Sequence, residues 1–212
     1  MPHRRTLLIT LALVLFAAAA FAQDITLPAP KTDGGKPLMQ LLKERHSTRE
    51  FGPEKVSPQV LSNLLWAAFG INRADEKRTA PSAMNWQEID IYVATAEGAY
   101  LWDAKANVLK LVASGDLRGA TGNQAYVGTA AMNLVYVADM AKTGRATPEQ
   151  QQTWVWANAG FIAQNAYLFC ASEGLVAVVR ALLNREALAP QLKLRPDQKI
   201  ILAQSIGYPK GR

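Results

Sequence analysis

Three short polar clusters hold most of the side chains that could bind a ligand or take part in a reaction in this 212-residue chain. The first is the run from Arg45 to Arg49, Arg-His-Ser-Thr-Arg, in which two guanidinium groups surround two hydroxyl groups. Arginine donates forked, charge-assisted hydrogen bonds, so this run suits a phosphate group. The alternative is the end of a helix whose cations offset the helix dipole, and the local sequence alone favours that alternative.

The other two clusters offer amide groups and cations. In the loop Pro81–Gln87, Asn85 and Gln87 each present a hydrogen-bond donor and an acceptor, the groups that read the amide edge of a heterocycle. The alternative is turn chemistry, in which such side chains bond their own backbone. At the C-terminus, Lys210 and Arg212 follow a predicted strand, and the alternative to a binding role is a solvated tail.

The rest of the sequence excludes several classes of chemistry. Cys170 is the only cysteine, so no internal disulfide can form, and its apolar surroundings predict a buried, inert thiol. After residue 22 the only histidine is His46, and no acidic residues have calcium-loop spacing, so we predict no metal site. Gly-x-Ser-x-Gly and phosphate-loop motifs are absent. The lysines and arginines are scattered, which argues against nucleic acid as a partner.

The first 22 residues have the pattern of an export signal. A positive head, Arg4-Arg5, precedes an uncharged apolar run from Leu7 to Phe21, and Ala20-Phe21-Ala22 supplies small residues before a cleavage site. We therefore predict a signal peptide over residues 1–22, cleavage after Ala22 and a periplasmic location. Removal of the two arginines lowers the formal charge from +6 to +4.

An uncleaved membrane anchor is the alternative, although the apolar run is shorter than the ~20 residues of a comfortable span. We expect no membrane span in the mature chain. The arginine pair also resembles a twin-arginine signal, so both the unfolded (Sec) route and the folded (twin-arginine) route stay open.

Predicted helices and strands would position the three clusters. Residues 23–36 contain prolines and a Gly-Gly pair, which predicts an extended leader. Helices are predicted over Pro37–Glu44, over the run that Ser57 caps and Gly70 ends, and briefly over Asn123–Thr129. The predicted strands are Ile89–Thr95, Ala99–Asp103, Val108–Val112, Met132–Ala138, Val176–Val179 and Lys199–Ile206.

The longest predicted helix covers residues 148–173. Thr147-Pro148-Glu149-Gln150 combines a capping-box pattern with a first-turn proline, and Gly174 is the predicted C-cap. A helix of this length spans about 39 Å, so it is either the central axis of a domain or a subunit interface. The chain has no repeat or interdomain linker, and we predict one domain over residues 37–212.

The order of these motifs resembles the nitroreductase family of flavin mononucleotide (FMN) enzymes over essentially all of residues 37–212. The run at 45–49 is similar to the family's N-terminal phosphate-binding motif. The loop at 81–87 matches the family pattern of Pro-Ser, a two-residue spacer, Asn, and Gln two residues further on. The segment 159–165 is similar to the central helix, and Lys210-Gly211-Arg212 is similar to the C-terminal phosphate clamp.

Two other segments are similar to one branch of the family. The predicted hairpin over residues 100–111 and the run Gly115-Asp116-Leu117-Arg118 resemble the branch that includes azoline- and thiazoline-oxidising dehydrogenases. The resemblance as a whole implies an α+β fold, with a mostly antiparallel central sheet flanked by helices. It also implies that the long helix lies at a homodimer interface and that FMN is bound there by both subunits.

The resemblance assigns roles to individual residues. Ala181 and Leu182 would place backbone N–H groups against flavin N5, where the family commonly has Gly or an acidic residue. Arg180, just before them, is either a salt-bridged structural residue, which we favour, or a cation near the substrate. The implied FMN-binding residues, with the phosphate cage formed by the arginines, the lysine and Ser47, are Arg45, His46, Ser47, Arg49, Ser82, Asn85, Gln87, Ala181, Leu182, Lys210 and Arg212.

The implied activity is ping-pong oxidoreduction in which the flavin, and no protein side chain, performs the chemistry. The expected substrate is a small organic molecule such as a nitro compound or a quinone. One alternative is an azoline-type dehydrogenase that oxidises a heterocycle or peptide, and another is a flavin-binding electron-transfer module without its own turnover. Because nicotinamide donors are cytoplasmic, an exported protein needs another electron source, such as a donor protein.

Overall fold

A seven-stranded sheet forms the centre of the protein, for which a computed structural model describes residues 23–211. The strands are β1 (Ile25–Thr26), β2 (Ile89–Ala94), β3 (Gly98–Asp103), β4 (Val108–Ser114), β5 (Met132–Asp139), β6 (Val176–Arg180) and β7 (Gln198–Gly207). Their spatial order is β1-β4-β3-β2-β5-β7-β6, and all neighbouring strands are antiparallel. The predicted signal peptide over residues 1–22 and Arg212 lie outside the described residues.

Four helices accompany the sheet, and the two longest begin and end where local rules predict. Ser57 caps the second helix by accepting a hydrogen bond from the N–H of Val60, while Thr147 and Gln150 form a complete capping box on the third. Gly174 ends the third helix in the left-handed conformation, with φ 68°. The helices are α1 (Leu38–Glu44), α2 (Pro58–Phe69), α3 (Pro148–Glu173) and α4 (Arg185–Gln191).

The sheet is covered on both faces, which explains why its central strands are apolar throughout. All of β5 is buried. Leu134 and Tyr136 pack with α2 and α3 on one face, whereas Val135 and Val137 pack with α4 on the other. The antiparallel α+β arrangement flanked by helices is therefore confirmed. Cys170 is buried against this core, as predicted.

The predicted leader, residues 23–36, crosses the outside of the domain. Its first residues form β1, which pairs with β4 at one edge of the sheet. The carbonyl of Pro28 accepts a hydrogen bond from the Ser62 hydroxyl of α2 at 2.6 Å. The N–H of Lys36 donates to Ser172 Oγ of α3 at 3.1 Å. The leader is thus docked along its length and contains a short strand that the sequence did not predict.

Two other elements differ from the sequence predictions. The helix α4 was not predicted because it has only seven residues and contains Pro190, although its N-cap Asn184 is a recognisable start signal. The brief helix predicted over Asn123–Thr129 is a 3-10 turn over Ala125–Gly128. Among the residues that the structure describes, no helix is both long and apolar enough to cross a bilayer.

Candidate functional site

The free edge of β6 brings the first polar cluster to the sheet. An edge strand presents unpaired backbone groups that must be covered. Residues 45–49 provide that cover, because the N–H of Thr48 donates to the Ala177 carbonyl at 3.0 Å and Ser47 forms a parallel bridge with Ala177. The N–H of Val179 on the same edge donates to the Tyr167 hydroxyl of α3 at 2.7 Å.

The side chains of this run have different surroundings. The Arg45 guanidinium lies 5.2 Å from the centre of the Tyr167 ring, and Ser47 Oγ lies 2.9 Å from the Tyr167 hydroxyl. The imidazole Nδ1 of His46 contacts the Glu44 carbonyl at 2.8 Å, so its ring is engaged at the end of α1. Arg49 is exposed. His46 therefore fits the alternative in which this run serves the end of a helix. Arg45 and Ser47 instead contact Tyr167 beside the sheet edge, and Arg49 lies in solvent.

The C-terminal segment meets the same edge. Phe51 forms an antiparallel bridge with Pro209, and the N–H of Gly52 donates to the Tyr208 carbonyl at 2.8 Å. Exposed Lys210 lies one residue beyond this bridge, and Arg49 lies two residues before it. Two predicted phosphate-binding residues that are far apart in sequence are thus brought together.

Ala181 and Leu182 continue the same edge beyond the end of β6. The N–H of Val179 points away from β7, and the strand period of two extends this direction to the N–H of Ala181. Both residues are exposed, with 64% exposure for Leu182. Within residues 23–211 neither backbone N–H has a hydrogen-bond partner. Two donors without a partner in the described chain therefore follow the end of β6, and the strand alternation directs the Ala181 N–H to the edge side.

Arg180 is buried, but its partners differ from those of the salt-bridged residue that the sequence favours. Its guanidinium is buried on the sheet face opposite α3, where it donates to the carbonyl and hydroxyl of Thr121, to Asn133 Oδ1 at 3.0 Å and to Ser205 Oγ at 3.4 Å. No carboxylate of the described chain pairs with it, and burial lowers the pKa of the guanidinium to about 10. Neutral hydrogen-bond acceptors therefore stand where the salt bridge was expected.

The loop over residues 81–87 is held in an unusual backbone conformation. Met84, Asn85 and Gln87 all have positive φ, at 52°, 54° and 49°. Such non-glycine conformations cost about 1–3 kcal/mol each and persist only where surrounding contacts enforce them. The contacts include Gln87 N–H to Ser82 Oγ at 3.1 Å, Gln87 Nε2 to Asn85 Oδ1 at 3.2 Å, and Arg78 Nε to Gln87 Oε1 at 2.7 Å.

Two buried polar residues outside the three predicted clusters attach this loop to α3. Asn158 accepts a hydrogen bond from the Ala83 N–H at 3.2 Å and donates to Glu88 Oε1 at 2.8 Å. The other carboxylate oxygen of Glu88 has no partner among the described residues. Trp86 and Trp154 pack with ring centres 5.3 Å apart. The sequence signal for this attachment is Asn158 itself, a polar residue among the apolar residues of the buried helix face.

The loop and the arginine run contact α3 at different places. The loop is attached at Asn158, whereas Arg45 and Ser47 contact Tyr167. Nine residues correspond to about 14 Å along a helix axis and half a turn around it. Within one chain, the structure therefore brings the described part of the predicted phosphate and N5 residues to one edge, without Arg212, and places Asn85 in a separate region.

Several large apolar side chains of α1 and α3 are exposed. Phe161 and Trp156 of α3 are 48% and 39% exposed, and on α1, which packs against α3, Leu38, Met39 and Leu42 are 58%, 76% and 50% exposed. Where such side chains form a contiguous patch, they are typical of a protein interaction surface.

Similarity to known proteins agrees with this architecture. A model of the nitroreductase family matches residues 42–208. The chain is 28% identical over 148 residues to a nitroreductase candidate from Methanocaldococcus jannaschii, a match that covers 65% of this chain and 75% of that protein.

Solved structures are also similar. The crystal structure of a nitroreductase candidate from Ralstonia eutropha JMP134 has a TM-score of 0.86 and 44% identity, covering 92% of this chain and 94% of that one. NADPH:FMN oxidoreductase from Vibrio harveyi, solved with NAD+, has a TM-score of 0.60 and 20% identity, covering 82% of this chain and 69% of that one. The second likeness shows a shared fold.

Proposed function

The chain belongs to the nitroreductase family and is an oxidoreductase, and from that premise we propose that it is an exported, FMN-dependent enzyme. The proposed reaction transfers a hydride or electrons between the flavin and a small organic molecule, such as a nitro compound or a quinone. FMN supplies the redox chemistry when bound, while the protein supplies binding, orientation and electrostatics.

The observation that carries this proposal is the charge along the β6 edge. Arg45, Arg49 and Lys210 lie at one end of the edge, and none of them forms a salt bridge with a carboxylate of the described chain. Cations left without acidic partners suit a phosphate dianion, because no existing ion pair must be broken. The residues present therefore fit the phosphate end of FMN.

The other end of the edge suits the flavin ring. Ala181 and Leu182 are exposed residues, and their backbone N–H groups have no partner within the described chain. Backbone donors at fixed positions stabilise charge on a bound group without reorganising. We propose that these two N–H groups donate to the flavin at N5 and that Arg180 supports them from the buried face of the sheet.

We propose that two copies of the chain complete the site. The exposed apolar side chains of α1 and α3 supply a surface for a second copy, and Asn85 lies apart from the arginine run within one chain. In a homodimer, the Pro81–Gln87 loop of one subunit would approach the flavin edge of the other. Ser82 and Gln87 would then fix the loop, and Asn85 would face the pyrimidine end of the ring.

If the protein is exported, as we propose, its electron donor must be one that is present outside the cytoplasm. The support is the sequence pattern of residues 1–22 and the predicted cleavage after Ala22. A periplasmic enzyme meets no nicotinamide pool, so we propose a donor protein or an exported reductant as its partner. Because the flavin would be bound without a covalent link, loading before export favours the twin-arginine route.

The visible spectrum of the purified mature protein tests the proposal. We expect absorption near ~450 nm that moves to the supernatant when heat releases the flavin. Arg45→Ala and Lys210→Ala should lose the bound flavin, whereas Lys105→Ala should keep it, since Lys105 pairs with Glu76 away from the edge. A colourless protein that takes up no added FMN would refute the assignment.

A further inference from the structure

Tyr167 joins three parts of the protein at the phosphate end of the edge. It belongs to α3 and is only 6% exposed. Its hydroxyl contacts the N–H of Val179 on β6 and Ser47 Oγ, and its ring lies beneath the Arg45 guanidinium. A single buried side chain therefore touches one cation, Arg45, and one hydroxyl, that of Ser47, both of which the phosphate would need. No family motif identified in the sequence includes this residue.

The hydrogen-bond directions at Tyr167 follow from the number of donors. The N–H of Val179 can only donate, so the phenol oxygen accepts from it at 2.7 Å. Among residues 23–211, the phenol proton then has one neighbouring acceptor, Ser47 Oγ at 2.9 Å. If Ser47 donated instead, the phenol proton would remain buried without a partner, which costs about 1–3 kcal/mol. The favoured direction therefore runs from Val179 through Tyr167 to Ser47.

This direction has a consequence for the exposed serine. When Ser47 Oγ accepts from Tyr167, its own proton is free to donate outward. Ser47 is exposed beside the unpaired cations of the edge. The Tyr167 ring also keeps Arg45 in place, because a guanidinium within about 6 Å of an aromatic centre is attracted to its face.

We propose that Tyr167 is a positioning residue that orients the Ser47 proton and the Arg45 guanidinium toward the phosphate, and thereby makes the site prefer FMN over riboflavin. The inference rests on the proposed function, since it assumes that the edge binds FMN. It adds the residue that decides between two flavins differing only in the phosphate group.

The test measures FMN and riboflavin dissociation constants for the flavin-free full-length mature protein by quenching of flavin fluorescence. Tyr167→Phe keeps the ring and removes the hydroxyl. We expect it to weaken FMN binding by up to about 10-fold, the effect of one charge-assisted hydrogen bond, because the Ser47 proton loses its orientation, and to leave riboflavin binding unchanged. Ser47→Ala removes the donor itself and should weaken FMN binding at least as much, and the double variant should lose little more than Ser47→Ala alone.

Tyr136→Phe is the matched control. Tyr136 is also a buried tyrosine beneath α3, but its hydroxyl donates to Gln204 Oε1 at 2.5 Å and contacts neither Arg45 nor Ser47. It should lower stability without changing the ratio of the two dissociation constants. Equal weakening of both flavins by Tyr167→Phe, or no weakening of either, would overturn the role of Tyr167. If the wild-type protein binds neither flavin, the proposed function itself fails.

Discussion

The attachment of the Pro81–Gln87 loop to α3 predicts a stability effect that can be worked out from two buried residues. Asn158 and Glu88 are 2% and 0% exposed, and Asn158 bonds both the Glu88 carboxylate and the Ala83 N–H. Replacing Asn158 by leucine keeps a similar shape but leaves both partners without that bond. Each unsatisfied group costs about 1–3 kcal/mol, so we expect Asn158→Leu to lower the free energy of unfolding by about 4 kcal/mol.

A second substitution should recover part of that loss. Glu88→Met removes the carboxylate that Asn158→Leu leaves unpaired, and replacing both partners of a buried bond by apolar groups can be nearly neutral. We therefore expect the double variant Glu88→Met/Asn158→Leu to be about 2 kcal/mol more stable than Asn158→Leu alone. The remaining deficit comes from the Ala83 N–H, which still lacks its acceptor.

Urea unfolding followed by far-UV circular dichroism and tryptophan fluorescence measures these differences. For a chain of this length, a loss of 4 kcal/mol corresponds to a fall in Tm of about 8–16 °C. Gln152→Leu, on the exposed side of the same helix, is the control and should stay within about 0.5 kcal/mol of the wild type. If the double variant is less stable than Asn158→Leu, the Asn158–Glu88 bond does not hold the loop as described.

Two further predictions concern Arg180 and Cys170. A Cβ atom at Gly122 would lie 2.5 Å from Arg180 Nη1, whose guanidinium is fixed by Thr121 and Asn133, so Gly122→Ala should destabilise the protein by about 1–3 kcal/mol in urea unfolding. Gly119→Ala, with open space around it, is the control, and equal stability of the two variants would contradict the rigidity of Arg180. Burial raises the pKa of the Cys170 thiol, so above about pH 8.5 the thiol ionises in the unfolded chain but not in the folded one. This contribution to stability is present below that pH and is lost as pH rises, by about 2 kcal/mol at pH 10. Cys170→Ala has no thiol, so its free energy of unfolding should fall less between about pH 8.5 and pH 10 than that of the wild type. Identical pH profiles of the two proteins would disprove this contribution of Cys170.

The elements with local signals could be predicted from sequence. The capping box at Thr147, the left-handed glycine at Gly174 and the apolar run of β5 depend on residues a few positions apart, and all three occur as expected. The cluster at 45–49 and Lys210 could be assigned to one site only through family resemblance. Their approach in space depends on the bridge between Phe51 and Pro209, which no local pattern indicates.

The environments of buried polar residues could not be predicted. The side chains and carbonyls around Arg180 lie 25 to 59 residues away in sequence, and Asn158 lies 70 residues from Glu88. The order of strands in the sheet determines which of these distant residues become neighbours. A salt bridge was therefore a reasonable expectation for Arg180, yet the strand order placed neutral acceptors around it. The short helix α4 was missed because its length and internal proline give a weak periodic signal.

The leader across the outside of the domain has a consequence for how the packing of the helices can be monitored. It is the N-terminal part of the described chain, yet it bonds to α2 at Ser62 and Asn63 and to α3 at Ser172, 136 residues after its partner Lys36. Complete docking of the leader therefore requires both α2 and α3 to be in their native positions. Resistance of this segment to a protease would report that both helices are in place.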